Sequence, residues 1–319
     1  MADETGYRRY WLAEHHNMPA VAATNPPLLI AMVAAATERI RVGSGGVMLP
    51  NHAPLVVAEQ FALLEAAHPG RIDLGIGRAP GTDPVTSYAL RHGAGGVEDD
   101  AVAAFPSYVD HVRTLMAPDG AAVRVGGTLH ALHATPHATS APTVWLLGSS
   151  DYSARLAAEK GLPYVFAHHF SGSGTAEALE LYRSAFVPSE QHPEPRTFLT
   201  VNAVVAPTQE EADRLVLPNL LALVALRTGG RLAAQLLVED AEGQPLAEQH
   251  QSLASAMLSR WVVGTPDTAA KRVRELAETY DVDEVMVHPV AGALTGTPAD
   301  RSPAREQTLR LLAESLAGG

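Results

Sequence analysis

Two adjacent histidines stand where a short apolar run ends, and their type suits them to acid–base chemistry. His15 and His16 follow residues 10–13, a run typical of a buried strand. Imidazole is the side chain that titrates unperturbed near neutral pH, so a ring here could transfer a proton or hydrogen-bond to a reactive oxygen. A histidine that only bonds a backbone carbonyl is an equally weighted alternative.

A second group of residues is suited to holding an anion. Arg78 is flanked by small residues, which favours bidentate contact between its guanidinium and an anion, although a surface ion pair is a strong alternative. Residues 148–153, Gly-Ser-Ser-Asp-Tyr-Ser, are typical of a strand-to-helix turn. Its free amides, helix dipole and hydroxyls would suit a phosphate, provided that the Asp151 side chain turns away. An ordinary helix cap is the alternative.

Two successive glycines and three spaced histidines complete the candidates. Gly45 and Gly46 end an apolar run, and glycine there often marks close approach of a flat ligand, with a bulge as the alternative. His130, His133 and His137 have a spacing that a helix could use to bind a metal. Glycine and proline flank them and no carboxylate is near, so we predict no metal site.

Composition excludes several classes of protein. The 319 residues contain 46% hydrophobic and 18% charged residues, which is typical of a globular chain. A formal charge of −12 is unfavourable for binding nucleic acid or an anionic membrane. The absence of cysteine excludes disulfides, zinc–thiolate sites and cysteine nucleophiles, and it is consistent with a predicted cytoplasmic location. No apolar run reaches the length of a membrane span.

Short apolar runs alternate with helical segments, which predicts a parallel sheet covered by helices. We expect one domain over residues 1–319, with insertions at about 117–141 and 208–261 that shape a substrate pocket. A closed barrel of this class needs about eight strands. Seven are predicted, at residues 10–13, 40–47, 71–76, 142–147, 163–167, 198–205 and 284–288.

Five segments, in this order, resemble the bacterial-luciferase-like family of flavin-dependent monooxygenases. They are YWLAEHHNM (residues 10–18), VGSGGVMLPNH (42–52), PGRIDLGIGRAPG (69–81), LLGSS (146–150) and VGTP (263–266). The resemblance implies a (β/α)8 barrel that binds reduced FMN at the carboxyl ends of its strands. It also implies a first strand and most of a first helix ahead of residue 1, so we expect a natural start roughly 25–35 residues upstream.

The resemblance also assigns roles to single residues. His15 matches the histidine that luciferases use near the oxygen adduct of the flavin. Gly45 and Gly46 match the pair that is joined by a cis peptide against the flavin ring. Gly77 replaces the reactive cysteine of true luciferases, which weakens any expectation of light emission. The FMN phosphate is expected to be held by Arg78, Gly148, Ser149, Ser150 and Ser153.

The resulting prediction is a monooxygenase that takes reduced FMN from a separate flavin reductase and oxygenates a small organic substrate with O2. A homodimer that packs through early helices such as residues 53–67 is expected. One alternative is a hydride-transfer oxidoreductase that uses the deazaflavin F420, which shares the fold and much of the site. Two further candidates are a non-catalytic flavin-binding protein and a metal-dependent barrel hydrolase.

Overall fold

A computed structural model describes residues 1–79, 81–91, 98–170, 172–230 and 232–318, which form one large parallel sheet and one small hairpin. Both faces of a parallel sheet are normally covered, so its strands are short apolar runs. The large sheet comprises β1 (Arg9–Leu12), β2 (Arg41–Ser44), β3 (Val47–Met48), β4 (Ile72–Gly77), β7 (Thr143–Gly148), β8 (Tyr164–Phe166), β9 (Thr197–Val205), β10 (Val262–Gly264) and β11 (Val285–Pro289), and the hairpin comprises β5 (Ala121–Val125) and β6 (Thr128–Leu132).

Helices cover the sheet, and local capping residues set where several of them begin. Asn25 precedes Pro26, and its side chain accepts a hydrogen bond from the Leu28 amide at 3.1 Å, which fixes the start of the first helix. The helices are α1 (Pro26–Ala35), α2 (Pro54–Ala67), α3 (Pro84–Leu90), α4 (Glu98–Ala103), α5 (Phe105–Met116), α6 (Asp151–Glu159), α7 (Thr175–Ala185), α8 (Gln209–Arg227), α9 (Val238–Glu242), α10 (Gln251–Leu258), α11 (Pro266–Tyr280) and α12 (Pro303–Ala317).

The order of the large sheet follows the chain. Neighbouring strands run β1–β2–β4–β7–β8–β9, and the described pairings among them are parallel. The long strand β9 also pairs with β11 along Leu199–Ala203 and with β10 along Ala203–Val205. All seven predicted strands are present, and the parallel α/β barrel class is confirmed. Residues 40–47 form two strands rather than one, because Gly45 and Gly46 interrupt the ladder between β2 and β3.

The sheet curls until β1 approaches β11. Arg9 in β1 forms an ion pair with Glu284, the residue before β11, and the Tyr7 hydroxyl donates to the Leu309 carbonyl of α12 at 2.8 Å. Within the described ranges no backbone ladder joins β1 to β11, so side chains hold this part of the curl together. The expectation of a further strand upstream of β1 stays a prediction.

A buried ionic and aromatic cluster fills the barrel interior near the amino ends of the strands. The Trp145 and Phe198 rings lie 5.0 Å apart, and the Arg9 guanidinium lies 5.0 Å from the Trp145 ring centroid. Asp73 has no exposed surface and accepts a hydrogen bond from Arg9 at 2.6 Å. Burial alone would lower the pKa of Arg9, but Glu284 and Asp73 raise it above its ordinary value. The cluster blocks this end and leaves the carboxyl end for a ligand.

The two predicted insertions lie at opposite ends of the barrel. Residues 117–141 contain the β5–β6 hairpin, which runs from the end of α5 to the start of β7. Helices of a βα unit run back to the amino ends of the strands, so this hairpin leaves and rejoins the barrel there. It is held to α2 by hydrogen bonds from Thr135 to Glu59 and from Ser140 to Glu65. The expectation that it shapes the substrate pocket is therefore wrong.

Residues 208–261, by contrast, lie beside the carboxyl ends of the strands. Arg227 at the end of α8 donates a hydrogen bond to the carbonyl of Phe170, which follows β8. The Val238 amide donates to the carbonyl of Ala293, which follows β11, at 3.0 Å. Residues of this segment form a hydrophobic cluster with Val204 of β9, and its members include Leu215, Val216, Val238, Met257 and Trp261. This segment is placed where it can border a ligand.

Candidate functional site

The loop after β1 is fixed by a buried carboxylate. Glu14 is 1% exposed and accepts hydrogen bonds from His52 at 2.7 Å, His16 at 2.9 Å and the Met48 amide at 2.9 Å. Burial would raise the pKa of Glu14, but hydrogen bonds from His52, His16 and Met48 hold it below its ordinary value. The ionised carboxylate therefore ties the loop that carries His15 to the start of the turn after β3.

His15 bridges the loops after β1 and β4. Its backbone amide donates to the Ala23 carbonyl at 2.9 Å, and its Nδ1 lies 3.0 Å from the Gly81 carbonyl oxygen. A carbonyl only accepts, so Nδ1 carries a hydrogen, and Nε2 of the neutral ring is an acceptor. The ring is half-buried. His15 thus keeps one oriented nitrogen for chemistry while the other fixes the ring.

The two glycines between β2 and β3 leave this stretch of backbone without side chains. The peptide bond between Gly45 and Gly46 is cis. A Cβ added at Gly46 would lie 2.8 Å from the Gly75 carbonyl oxygen, so β4 leaves no room for a side chain. A Cβ at Gly45 would lie 3.3 Å from Trp11. Only glycine fits comfortably here, and a flat group can approach the backbone without meeting side chains.

Arg78 lies at the carboxyl end of β4 and reaches the start of α6. Its guanidinium stacks on the Tyr152 ring at 4.0 Å from the centroid. It is half-buried, and none of the described acidic side chains forms an ion pair with it. A guanidinium that is held by stacking and bonds to no described acidic side chain suits an oxyanion such as phosphate. Arg78 therefore does not form the alternative surface ion pair with any described acidic residue.

The strand-to-helix turn beside Arg78 is formed as the sequence predicted. Ser150 is the N-cap of α6 with an extended backbone, and its side chain makes no capping hydrogen bond. A Cβ at Gly148 would lie 2.4 Å from the Ser153 hydroxyl, so this glycine lets the buried serine pack against the strand end. The Asp151 carboxylate turns along the helix toward Arg155 at 3.5 Å. The first amides of α6 and the Ser150 hydroxyl therefore remain available to an anion.

The predicted residues therefore fall into two neighbouring groups. Arg78, Ser150 and Ser153 stand together around the start of α6, with exposed Ser149 beside them. His15 and the glycine pair belong to the loops after β1 and β2, and the Gly45 amide donates to the Leu12 carbonyl at 2.8 Å. The backbone after Arg78 links the groups, because Gly81 bonds His15. The arrangement can bind a phosphate at one end and place a flat ring near an imidazole at the other.

A third group lies on β9 and β11, and it includes two residues that sequence reasoning missed, Thr200 and Asn202. Thr200 and Asn202 lie in β9, two and four residues after Phe198 of the interior aromatic cluster, so their side chains face the barrel interior. They contact His169, which follows β8, and His288, which lies in β11. The signal was present, because polar residues at every second position of an apolar strand indicate inward-facing polar groups.

The histidine spacing at 130–137 does not form a metal site. Within the described ranges no group of three His, Asp or Glu side chains is arranged to hold a metal ion. His130 lies in the exposed hairpin strand β6, and the rings of His133 and His137 are 6.0 Å apart. Residues 130–137 form no helix, so a spacing that would place three rings on one helix face does not bring these rings together.

His168 is expected to make the protein sensitive to acid. Burial lowers its pKa from 6.5 to about 4, and the charges of Arg260 and Arg272 add to the effect. Between these pH values the unfolded chain binds a proton that the folded chain does not, so stability falls as pH falls from 6.5 to 4. The loss is on the order of 3 kcal/mol. Urea unfolding at pH 7 and 4.5 should show a smaller acid loss in His168→Gln.

The exposed His111 provides the matched control for this measurement, because His111→Gln should keep the wild-type pH dependence. An acid loss in His168→Gln equal to that of wild type would contradict the assignment.

Comparison with known families places the chain. The model described as luciferase-like monooxygenase matches residues 1–282. The chain belongs to the luciferase-like monooxygenase family. A luciferase-like monooxygenase of Escherichia coli K12 is 40% identical over 296 residues, which cover 90% of this chain and 82% of that protein. The N-acetyl-S-alkylcysteine monooxygenase of Bacillus subtilis is 30% identical over 325 residues, which cover 99% and 90%. The predicted family is confirmed, and with it a flavin-dependent monooxygenase.

Solved structures agree on the fold. Apo-MsnO8 has a TM-score of 0.82 and 34% identity, and the match covers 99% of this chain and 89% of that one. The oxygenating constituent of 3,6-diketocamphane monooxygenase from Pseudomonas putida, in complex with FMN, has a TM-score of 0.73 and 21% identity over 99% and 90%. An F420-dependent secondary alcohol dehydrogenase has a TM-score of 0.67 and 13% identity over 99% and 92%. At such low identities the last two show the fold alone.

A helix that crosses a bilayer must be both long and continuously apolar. Among the described residues, no helix combines the two properties.

Proposed function

We propose that this protein binds reduced FMN and uses it with O2 to oxygenate a small organic substrate. The observation that carries the proposal is Arg78, half-buried, stacked on Tyr152 and without an ion-pair partner among the described acidic residues, beside the uncapped start of α6. That combination fits a phosphate monoester, which FMN carries. The FMN-bound 3,6-diketocamphane monooxygenase, which shares the fold, shows that a barrel of this kind can hold FMN.

Different residues of the chain would bind FMN and transfer the proton. Arg78, Ser150 and Ser153 would hold the phosphate, and Gly45–Gly46 would leave room for the flat ring. When bound, reduced FMN supplies the electrons that activate O2. Donation of Nδ1–H to the Gly81 carbonyl fixes the His15 ring, so Nε2 would take a proton from the reacting oxygen and then return it.

The supply of reduced FMN is assigned to a separate flavin reductase, because the sequence contains no pyridine-nucleotide fingerprint. The cytoplasmic location expected from the sequence stays a prediction. Fluorescence titration with FMN and with the deazaflavin F420 distinguishes this function from the F420-dependent alternative. Tighter binding of F420 than of FMN would overturn the assignment of cofactor.

Replacement of His15 by alanine tests the function directly. We expect the rate of product formation to fall by about 10²- to 10⁴-fold, the usual contribution of a positioned acid–base group, with FMN affinity little changed. The assay supplies FMN, a flavin reductase and NADH, and screens aldehydes, ketones, alkanesulfonates and thioethers for oxygenated products. His111→Ala, at an exposed position of α5, is the matched control. Oxygenation by His15→Ala at the wild-type rate would contradict the role of His15.

We also propose that two copies pair through α1 and α2. Large apolar side chains stand exposed on these neighbouring helices, with Leu28 and Met32 on α1 at 56% and 59% and Val56 and Leu63 on α2 at 48% and 59%. Exposed apolar groups gathered on one face commonly mark an interface. Sedimentation should give twice the chain mass for wild type and the chain mass for Leu63→Glu. A monomeric wild type would contradict the pairing.

A further inference from the structure

Two histidines face the barrel mouth from strands that the proposed FMN residues do not use. His169 follows β8, and His288 lies in β11 opposite Asn202 of β9. Their ring centroids are 5.8 Å apart, and the rings meet edge to face at 79°. The proposed mechanism gives neither ring a role.

The hydrogen bond of His169 fixes its tautomer. The Thr200 hydroxyl donates to the Phe166 carbonyl at 3.0 Å, so its hydrogen is already used. The Thr200 oxygen can therefore only accept from His169 Nδ1, which lies 2.8 Å away. Nδ1 of His169 carries the hydrogen, and Nε2 of the neutral ring has a lone pair.

The same reasoning applies to His288. The Asn202 amide nitrogen donates to the His169 carbonyl at 3.1 Å, which directs the amide oxygen toward the other ring. That oxygen is 3.1 Å from His288 Nδ1 and can only accept, so Nδ1 of His288 carries the hydrogen. Asn202 thus sets the position of one histidine and the tautomer of the other.

Both Nε2 atoms remain available as acceptors. No described residue forms a hydrogen bond to either atom. His169 is half-buried and its Nε2 is not among the fully buried, unpartnered nitrogens, and His288 is exposed. Burial lowers the pKa of His169 to about 3 and that of His288 to about 4, with a contribution from Arg305 to the latter. His288 keeps exposed surface, which gives a ligand access to its ring. Both rings are therefore neutral at physiological pH.

The pair lies close to the predicted reacting end. The sheet curls so that β1 approaches β11, which places His15, in the loop after β1, on the same side of the barrel as His288 in β11. The phosphate residues lie instead after β4 and β7. His169 follows β8, the neighbour of β7, whereas His288 lies on β11, which pairs with β9. A ligand group bound to both rings would thus lie between the phosphate residues and His15 around the mouth.

We propose that Nε2 of His169 and Nε2 of His288 form a two-acceptor subsite for an N–H or O–H group of the substrate. The inference rests on the proposed function and adds a substrate class to it: hydroxyl- or amide-bearing compounds rather than ones that present only carbonyl or carboxylate oxygens. Two lone pairs repel a third acceptor, so a carboxylate at this position is disfavoured. An analogue whose donor hydrogens are methylated leaves both acceptors unpaired and loses affinity.

Nitrogen NMR of the full chain tests the subsite without requiring turnover. In protein labelled with ¹⁵N-histidine, His169 and His288 should each show a protonated Nδ1 and an unprotonated Nε2, with signals assigned from His169→Asn and His288→Asn variants. Benzamide and hexanamide should move both Nε2 signals and should bind at least about tenfold more tightly than their N,N-dimethyl forms. In Asn202→Leu the His288 tautomer should change and this preference should shrink.

Any one of three results would overturn the subsite. The first is a protonated Nε2 on either ring, and the second is equal binding of the amides and their dimethyl forms. The third is that none of the four probes moves the two Nε2 signals. FMN titration of His169→Asn and His288→Asn separates this failure from failure of the proposed function. Normal FMN affinity in both variants is expected, whereas loss of FMN binding by the wild-type chain would count against the function itself.

Discussion

Replacing Arg78 with alanine is expected to weaken FMN binding by about 10- to 100-fold. A charge-assisted, bidentate contact to phosphate is among the stronger hydrogen bonds in proteins. Arg78 is suited to it because stacking on Tyr152 holds the guanidinium in place while none of the described acidic side chains competes for its donors. The measurement is a fluorescence titration of apoprotein with FMN.

The design of this experiment separates loss of the phosphate contact from general damage. Riboflavin lacks the phosphate, so its weaker affinity should be nearly the same in wild type and in Arg78→Ala. Arg78→Lys should lie between the two, because it keeps the charge but loses the planar fork and the stacking. Arg155→Ala is the matched control, since Arg155 lies on α6 but is exposed and paired with Asp151. Unchanged FMN affinity, or an equal loss for riboflavin, would contradict the phosphate assignment.

Replacing Asp73 with alanine is expected to lower the free energy of unfolding by about 3–5 kcal/mol. Asp73 is fully buried and accepts hydrogen bonds from Arg9 at 2.6 Å, Arg41 at 2.6 Å and the Trp11 indole at 3.1 Å. Removing the carboxylate leaves the guanidinium of Arg9 buried with Glu284 as its remaining partner, and a buried charge that loses a partner is costly.

Urea denaturation followed by circular dichroism measures the effect. Asp151→Ala is the matched control, because its ion pair with Arg155 is exposed on both sides and should contribute at most about 0.5 kcal/mol. FMN affinity per folded molecule should be unchanged in Asp73→Ala, since the ionic cluster lies at the far end of the barrel interior. A loss of less than about 1 kcal/mol would show that the ion pair is not a main source of stability.

Some features of the candidate site could be predicted from local sequence. The turn at residues 148–153 is recognisable because capping residues, glycine and helix periodicity are read over a few positions. The interruption at Gly45 and Gly46 shows the limit of that method, because the apolar run around it favours one continuous strand. Position 46 requires glycine because a side chain there would collide with the Gly75 carbonyl on β4, and that contact exists only in the assembled sheet.

The error about residues 117–141 has the same origin. Glycine, proline and histidine in a long connection indicate a loop but not the end of the barrel to which it belongs. That depends on whether the connection follows a strand or a helix, and this one follows α5 and so lies at the amino end.

The sequence by itself determined the seven barrel strands, the order of the family segments and the likeness that points to FMN, because periodicity and motif order are properties of the chain alone. Only the tertiary structure decided that Arg78 stacks on Tyr152 and that Thr200 and Asn202 fix the tautomers of His169 and His288. Such contacts depend on strand register, because a shift of one residue would turn each side chain to the opposite face of the sheet.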